Sequence, residues 1–136
     1  MDCDAAWHSG SNLTVDHSVL IDHRRGNQAA RKAVLAAAQP GAILACSVLT
    51  KVEVLAGMRP AEEQVTRLLL NALAWHPVTD ELAEHAGQLA NQFLYPHPGV
   101  DPADYLIAAT TISHGASLWT RNVRRFPMFE GLQPPY

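Results

Sequence analysis

Two short apolar runs without charge, residues 42–46 (AILAC) and 117–120 (SLWT), constrain this chain more than any other feature. Each follows a helix-forming stretch that ends at a glycine. Runs of four or five apolar residues are too short for a buried helix and suit strands covered on both faces, the situation of a parallel sheet. Residues 13–15 (LTV) form a third such run, which leads directly into Asp16. Residues 75–78 (WHPV) form a fourth, weakened by Pro77, which has no N–H to give to a ladder.

The intervening segments read as helices. Residues 19–23 form a turn or two, broken by Gly26-Asn27. Residues 28–38 (QAARKAVLAAA) are strong helix formers stopped at Pro40-Gly41. Ser47 caps a helix through Leu55, with Gly57 as its stop, and another runs from Pro60 to Leu73. Thr79 opens a helix to about Tyr95, and 96–99 (PHPG) is a loop. Asp101-Pro102 supplies N-cap and N1 for a helix running to Gly115. Residues 121–136 read as a tail with little periodicity. Strands alternating with helices define an α/β fold with a mostly parallel sheet.

At 136 residues one domain is expected, spanning 13–136, with 1–12 as a flexible N-terminal extension. A chain of this size buries roughly two thirds of its unfolded surface, enough for a core without staples. Only 17% of residues are charged, so much of the chain is interior or interface. Cys46 reads as a buried free thiol and Cys3 sits in the polar lead-in, which points to a reducing compartment. The opening MDCDAAWHSGSN has no apolar core, so no signal peptide is expected. No apolar run of about 18 residues is present, so no membrane span is expected. A cytoplasmic location follows. The net charge of −3 argues against coating nucleic acid by bulk electrostatics, though it permits an enzyme with local positive charge.

In parallel α/β sheets, ligands bind outside the carboxyl ends of the strands. Asp16 ends the first strand, Glu53 lies on the helix after the second, Asp104 in the first turn of a late helix, and Asn122 just past the last strand. Clustered carboxylates repel one another unless a cation joins them. No Cys/His spacing suits zinc, and oxygen-only ligands favour Mg²⁺ or Mn²⁺. Such an ion supports phosphodiester hydrolysis, and the run Arg121, Arg124 and Arg125 is placed to hold a nucleic-acid backbone.

Each residue also has an ordinary role. Asp16 is a good strand terminator. Glu53 lies at the boundary of a helix face defined by Val48, Leu49, Val52, Leu55 and Ala56. Asp104 complements a helix dipole, Asn122 suits a turn, and the arginines suit a solvated tail. His17 and His23 read as surface or helix-capping residues, with substrate contact as the alternative.

VDHSVLIDHRRG (15–26), SVLTKVEVLAGMR (47–59) and DYLIAATTISHGASLWTRNVRRF (104–126) resemble, in order and spacing, the motifs of PIN-domain nucleases. The nearest likeness is to the VapC-type toxins of bacterial toxin–antitoxin modules, over about residues 13–132. The resemblance implies a three-layer α/β/α sandwich and endoribonuclease activity with Mg²⁺ or Mn²⁺ held by Asp16, Glu53 and Asp104. Asn122 stands where many members carry a further aspartate. Ser18 and Thr120 match the small polar residues that support such a site. The implied partners are RNA, a cognate VapB-type antitoxin that sends a basic side chain into the acidic pocket, and a second copy of the chain.

Three other readings compete. One is a catalytically silent PIN-like module that binds RNA or protein. A receiver-like signalling domain is disfavoured, because Cys46-Ser47 ends the second strand and Lys51 lies on a helix. The third is a nuclease acting on DNA, which spacing alone does not separate from one acting on RNA.

Overall fold

The structure is a computed structural model and describes residues 12–136. Four strands, β1 (Asn12–Val15), β2 (Ile43–Ser47), β3 (Ala74–His76) and β4 (Ser117–Trp119), form one sheet in the order β3-β2-β1-β4. Every neighbouring pair is parallel. Six helices surround it: α1 (His17–Arg24), α2 (Gln28–Ala37), α3 (Val48–Ala56), α4 (Glu63–Asn71), α5 (Asp80–Phe93) and α6 (Pro102–Ser113). The proposed extension at 1–12, with Cys3, lies outside the described residues except for Asn12, the first residue of β1.

Strand periodicity sorts the core into two layers. Leu13 and Val15 of β1 and Cys46 of β2 face one side, where they meet Val19 and Leu20 of α1, Val54 of α3, and Leu69 and Leu70 of α4. Leu118 of β4 faces the other side and packs with Ile107 and Ala108 of α6 and with Phe126. α5 closes that side through Leu82 and Ala86 against Tyr105 and Ala109. The register pairs Thr14 with both Ala45 and Leu118, so small side chains lie in the middle of the sheet. α6 is buried over most of its circumference, which is why its sequence is apolar with little amphipathic bias.

Several details differ from the expectations. The helix expected over 60–73 is a 3₁₀ turn (Pro60–Glu62) followed by α4, because the Glu62 carboxylate accepts the Arg59 N–H at 2.8 Å and tightens the start. β3 ends at His76, before Pro77. On α3 the buried residues are Thr50 and Val54, while Val52 is 65% exposed. Of the face expected from sequence, Leu55 packs against the core while Val52 and Ala56 are exposed, and the covered centre is Thr50 and Val54, a polar residue included. The tail is packed: Phe126 is 1% exposed under α6 and β4, joined by Met128, Phe129 and Leu132.

Arg24 secures the end of α3 from inside the helical layer. Its guanidinium donates to the Val54 carbonyl at 2.8 Å and to the Gly57 carbonyl at 3.3 Å, beside the Glu62 carboxylate at 3.5 Å. These are terminal carbonyls that a helix cannot satisfy by itself. Arg24→Ala is expected to cost about 2–4 kcal/mol in urea unfolding, because it strands buried acceptors. Cys46 is buried and free, and burial pushes its thiol up to about 12. Iodoacetamide at pH 8 is expected to leave Cys46 unmodified in folded protein and to label it in urea. Peptide mapping distinguishes it from Cys3.

Candidate active site

Following the chain, β1, β2 and β3 extend the sheet in one direction, whereas β4 lies on the far side of β1. The order therefore reverses between β1 and β4, and crevices at such a reversal are where α/β sheets take ligands. Asp16 leaves β1 at this point and Thr120 leaves β4. The Asp16 N–H donates to the Trp119 carbonyl at 2.9 Å, which fixes the two strand ends together.

Asp16 is 2% exposed. Its Oδ2 accepts the Thr120 hydroxyl at 2.8 Å and the Ser18 hydroxyl at 3.2 Å. Both hydroxyls are oriented from behind. The Asn122 N–H donates to Thr120 Oγ1 at 3.0 Å, and the Arg121 N–H donates to Ser18 Oγ at 3.0 Å. Two short relays thus run from the backbone of 121–122 to one carboxylate oxygen. The other oxygen, Oδ1, lies 3.1 Å from His17 Nδ1.

His17 is the first residue of α1, and its Nδ1 is also 3.3 Å from Glu53 Oε2. Asp16, His17 and Glu53 each offer a ligand atom, all within 4.8 Å of one another, the spacing of a metal centre. Glu53 Oε1 is buried without a hydrogen-bond partner. An unpaired buried carboxylate oxygen beside two other ligands fits a bound cation.

Asp104 is not a member of this tight group. Its Oδ2 accepts the Asp101 N–H at 3.0 Å, completing a capping box at the start of α6. The same oxygen faces Arg125 Nη1 at 4.0 Å. It nonetheless belongs to the same electrostatic neighbourhood. Burial lifts Asp104, and repulsion from Asp16 adds to this against the Asp101 N–H and Arg125. Burial also lifts Glu53, with His17 opposing and Asp16 and Asp104 reinforcing the rise. Burial acts upward on Asp16 too, but the His17 and Thr120 hydrogen bonds and the His17 charge outweigh it, so Asp16 stays below the usual carboxylate range. The Asp16 hydrogen bond in turn raises His17. One carboxylate is therefore held ionised while two neighbours resist ionisation, the pattern a cation relieves.

The remaining expected residues are divided. Ser18 and Thr120 touch Asp16. Asn122 contributes its backbone N–H and precedes a 3₁₀ turn over Val123–Arg125. The Arg121 side chain turns away from the carboxylates to Asp22, at 3.2 Å, and stacks on the Tyr136 ring, 4.8 Å from its centre. Arg124 and Arg125 are exposed on the 3₁₀ turn. From sequence His17 reads as a surface or capping residue, with substrate contact as the alternative, and the structure sets it between Asp16 and Glu53. The only available signal was its position next to an acid at a strand end.

A family profile described as "PIN domain" matches residues 13–129. The chain belongs to the PIN-domain family. Within that family it is 42% identical over 122 residues to Ribonuclease VapC19 of Mycobacterium tuberculosis, covering 90% of this chain and 98% of that one. It is 40% identical over 124 residues to Ribonuclease VapC10 of the same species, covering 91% and 92%. Its fold is similar to a toxin-antitoxin complex from Klebsiella pneumoniae, with a TM-score of 0.76, 28% identity, and coverage of 91% of this chain and 98% of that one. It is also similar in fold to VapBC2 from Rickettsia felis bound to a promoter DNA fragment, with a TM-score of 0.76 at 16% identity over 89% and 95%.

Thr120→Val removes a donor to a buried carboxylate and the acceptor of the Asn122 N–H. It is expected to destabilise the fold by about 1–3 kcal/mol in chemical denaturation, with Thr120→Ser recovering most of the loss.

Proposed function

We propose that this chain is a metal-dependent endoribonuclease that acts as the toxin of a toxin–antitoxin pair. The observation that carries the reading is the Asp16 carboxylate, buried, held by two hydroxyls on one oxygen and grouped with Glu53 and His17 at the sheet's reversal point. The ribonuclease names of relatives at 40–42% identity support the reaction class.

In this reading Asp16 and Glu53 hold a divalent cation, Mg²⁺ or Mn²⁺, with Asp104 at its edge. A divalent ion held by these residues would supply Lewis-acid chemistry, acidifying water and offsetting charge on a phosphodiester oxygen. The chain does the rest. Thr120 and Ser18 keep Asp16 in one orientation through Oδ2, with Oδ1 turned to His17. Asn122 orients Thr120 through its backbone, which serves whether the side chain is an amide or an acid. Arg124 and Arg125 supply the positive charge for the RNA backbone, and Arg121, committed to Asp22, braces the segment that carries them.

Two partners belong to the proposal. A VapB-type antitoxin is supported by the likeness to the Klebsiella pneumoniae toxin-antitoxin complex. A guanidinium from such a partner is a good rival for a cation between carboxylates. A homodimer is supported by large apolar side chains left in solvent, Val52 on α3 and Leu68 on α4, each 65% exposed. No helix among the described residues is long and apolar enough to cross a membrane.

The deciding experiment compares cleavage of total cellular RNA by wild type, Asp16→Asn and Asp104→Asn, with Mg²⁺ and with EDTA. Wild type is expected to cleave only with the metal, and each variant to lose about a hundredfold or more. Equal cleavage by all three overturns the reading. Tight RNA binding with no cleavage by wild type favours the silent PIN-like module.

A further inference from the structure

We propose that His17 is the specificity-determining residue for the cation: its imidazole nitrogen is a third ligand beside Asp16 and Glu53, and it tilts the site away from Mg²⁺ toward Mn²⁺ and the later first-row ions. This rests on the metal-dependent reading above and goes further, since that reading drew its ligands from carboxylates alone.

The distances suit a shared ion. His17 Nδ1 lies 3.1 Å from Asp16 Oδ1 and 3.3 Å from Glu53 Oε2. Neighbouring ligand atoms bonded to one ion at about 2.0–2.2 Å stand roughly 3.0–3.5 Å apart. The ring nitrogen faces two carboxylates at once, and a single N–H is shared poorly between two acceptors. An ion at the common vertex satisfies all three groups.

The position is imposed by the chain. His17 follows Asp16 directly and opens α1, whose next turn is anchored in the core by Val19 and Leu20. The side chain is 22% exposed, set between two carboxylates yet reachable from solvent. Asp104, the acid the sequence offered for this place, has Oδ2 committed to the Asp101 N–H. The nearest ligand set is therefore two oxygens and one nitrogen.

That composition has a consequence. Mg²⁺ prefers oxygen ligands and retained waters, whereas imidazole favours Mn²⁺ weakly and Co²⁺ and Zn²⁺ strongly. A nitrogen added to two carboxylates raises the affinity for the later ions and contributes little to that for Mg²⁺.

The test uses the full-length chain and measures cation binding directly, by calorimetry with Mg²⁺, Mn²⁺ and Co²⁺. Wild type is expected to bind Co²⁺ at least about tenfold more tightly than Mg²⁺, and His17→Ala to lose about tenfold for Co²⁺ while Mg²⁺ changes by less than about twofold. His17→Ala weakening all three ions equally, or none, overturns the proposal. A second measurement needs no variant: sub-stoichiometric Mn²⁺ is expected to broaden the His17 ring resonances ahead of the other histidines, and unaffected His17 resonances overturn the proposal. Asp16→Asn separates the two levels. If it binds the cations as wild type does, the metal-site reading itself fails. If it loses them all while His17→Ala shifts no preference, only the role given to His17 fails.

Discussion

A carboxylate buried at the end of a central strand is tolerated only when its oxygens are paired, and this fold is arranged around that demand at Asp16. The β1–β4 pairing brings Thr120 to it, the first turn of α1 brings Ser18 and His17, and the β2–α3 unit brings Glu53. Hydroxyls take one oxygen and leave the other to His17. Thr14 in mid-sheet is paired with Ala45 on one side and Leu118 on the other.

The same arrangement sets stability against chemistry. Glu53 and Asp104 both sit where burial and a neighbouring negative charge oppose ionisation. Such repulsion is a cost that function retains. Arg24, wholly outside the crevice, offsets part of it by holding the carbonyls at the end of the helix that carries Glu53.

Much of this was legible in the residues. Parallel strands, their order along the chain and the acids at their ends follow from short apolar runs and the rule for ligand sites in α/β sheets. Asp101 as N-cap was visible from Asp-Pro, whereas the Asp101 N–H to Asp104 bond that closes a capping box appears only in three dimensions. The rest was not, for identifiable reasons. The buried face of α3 is centred on Thr50 and Val54, and hydropathy cannot reveal a buried threonine. Phe126 packs without periodicity, because a single aromatic needs only one hole. Which nitrogen or oxygen reaches Asp16 depends on side-chain rotamers and strand register, so the inclusion of His17 and the looser placement of Asp104 appear only in three dimensions.

The contact between Asp22, Arg121 and Tyr136 has one more implication. The Tyr136 hydroxyl donates to Asp22 Oδ2 at 2.7 Å while its ring supports Arg121. Arg121 and Asn122 present the N–H groups that orient both hydroxyls on Asp16. A phenol far along the chain therefore braces the outermost layer of the carboxylate's cradle, so a site formed by the first strand is completed by the last residue described.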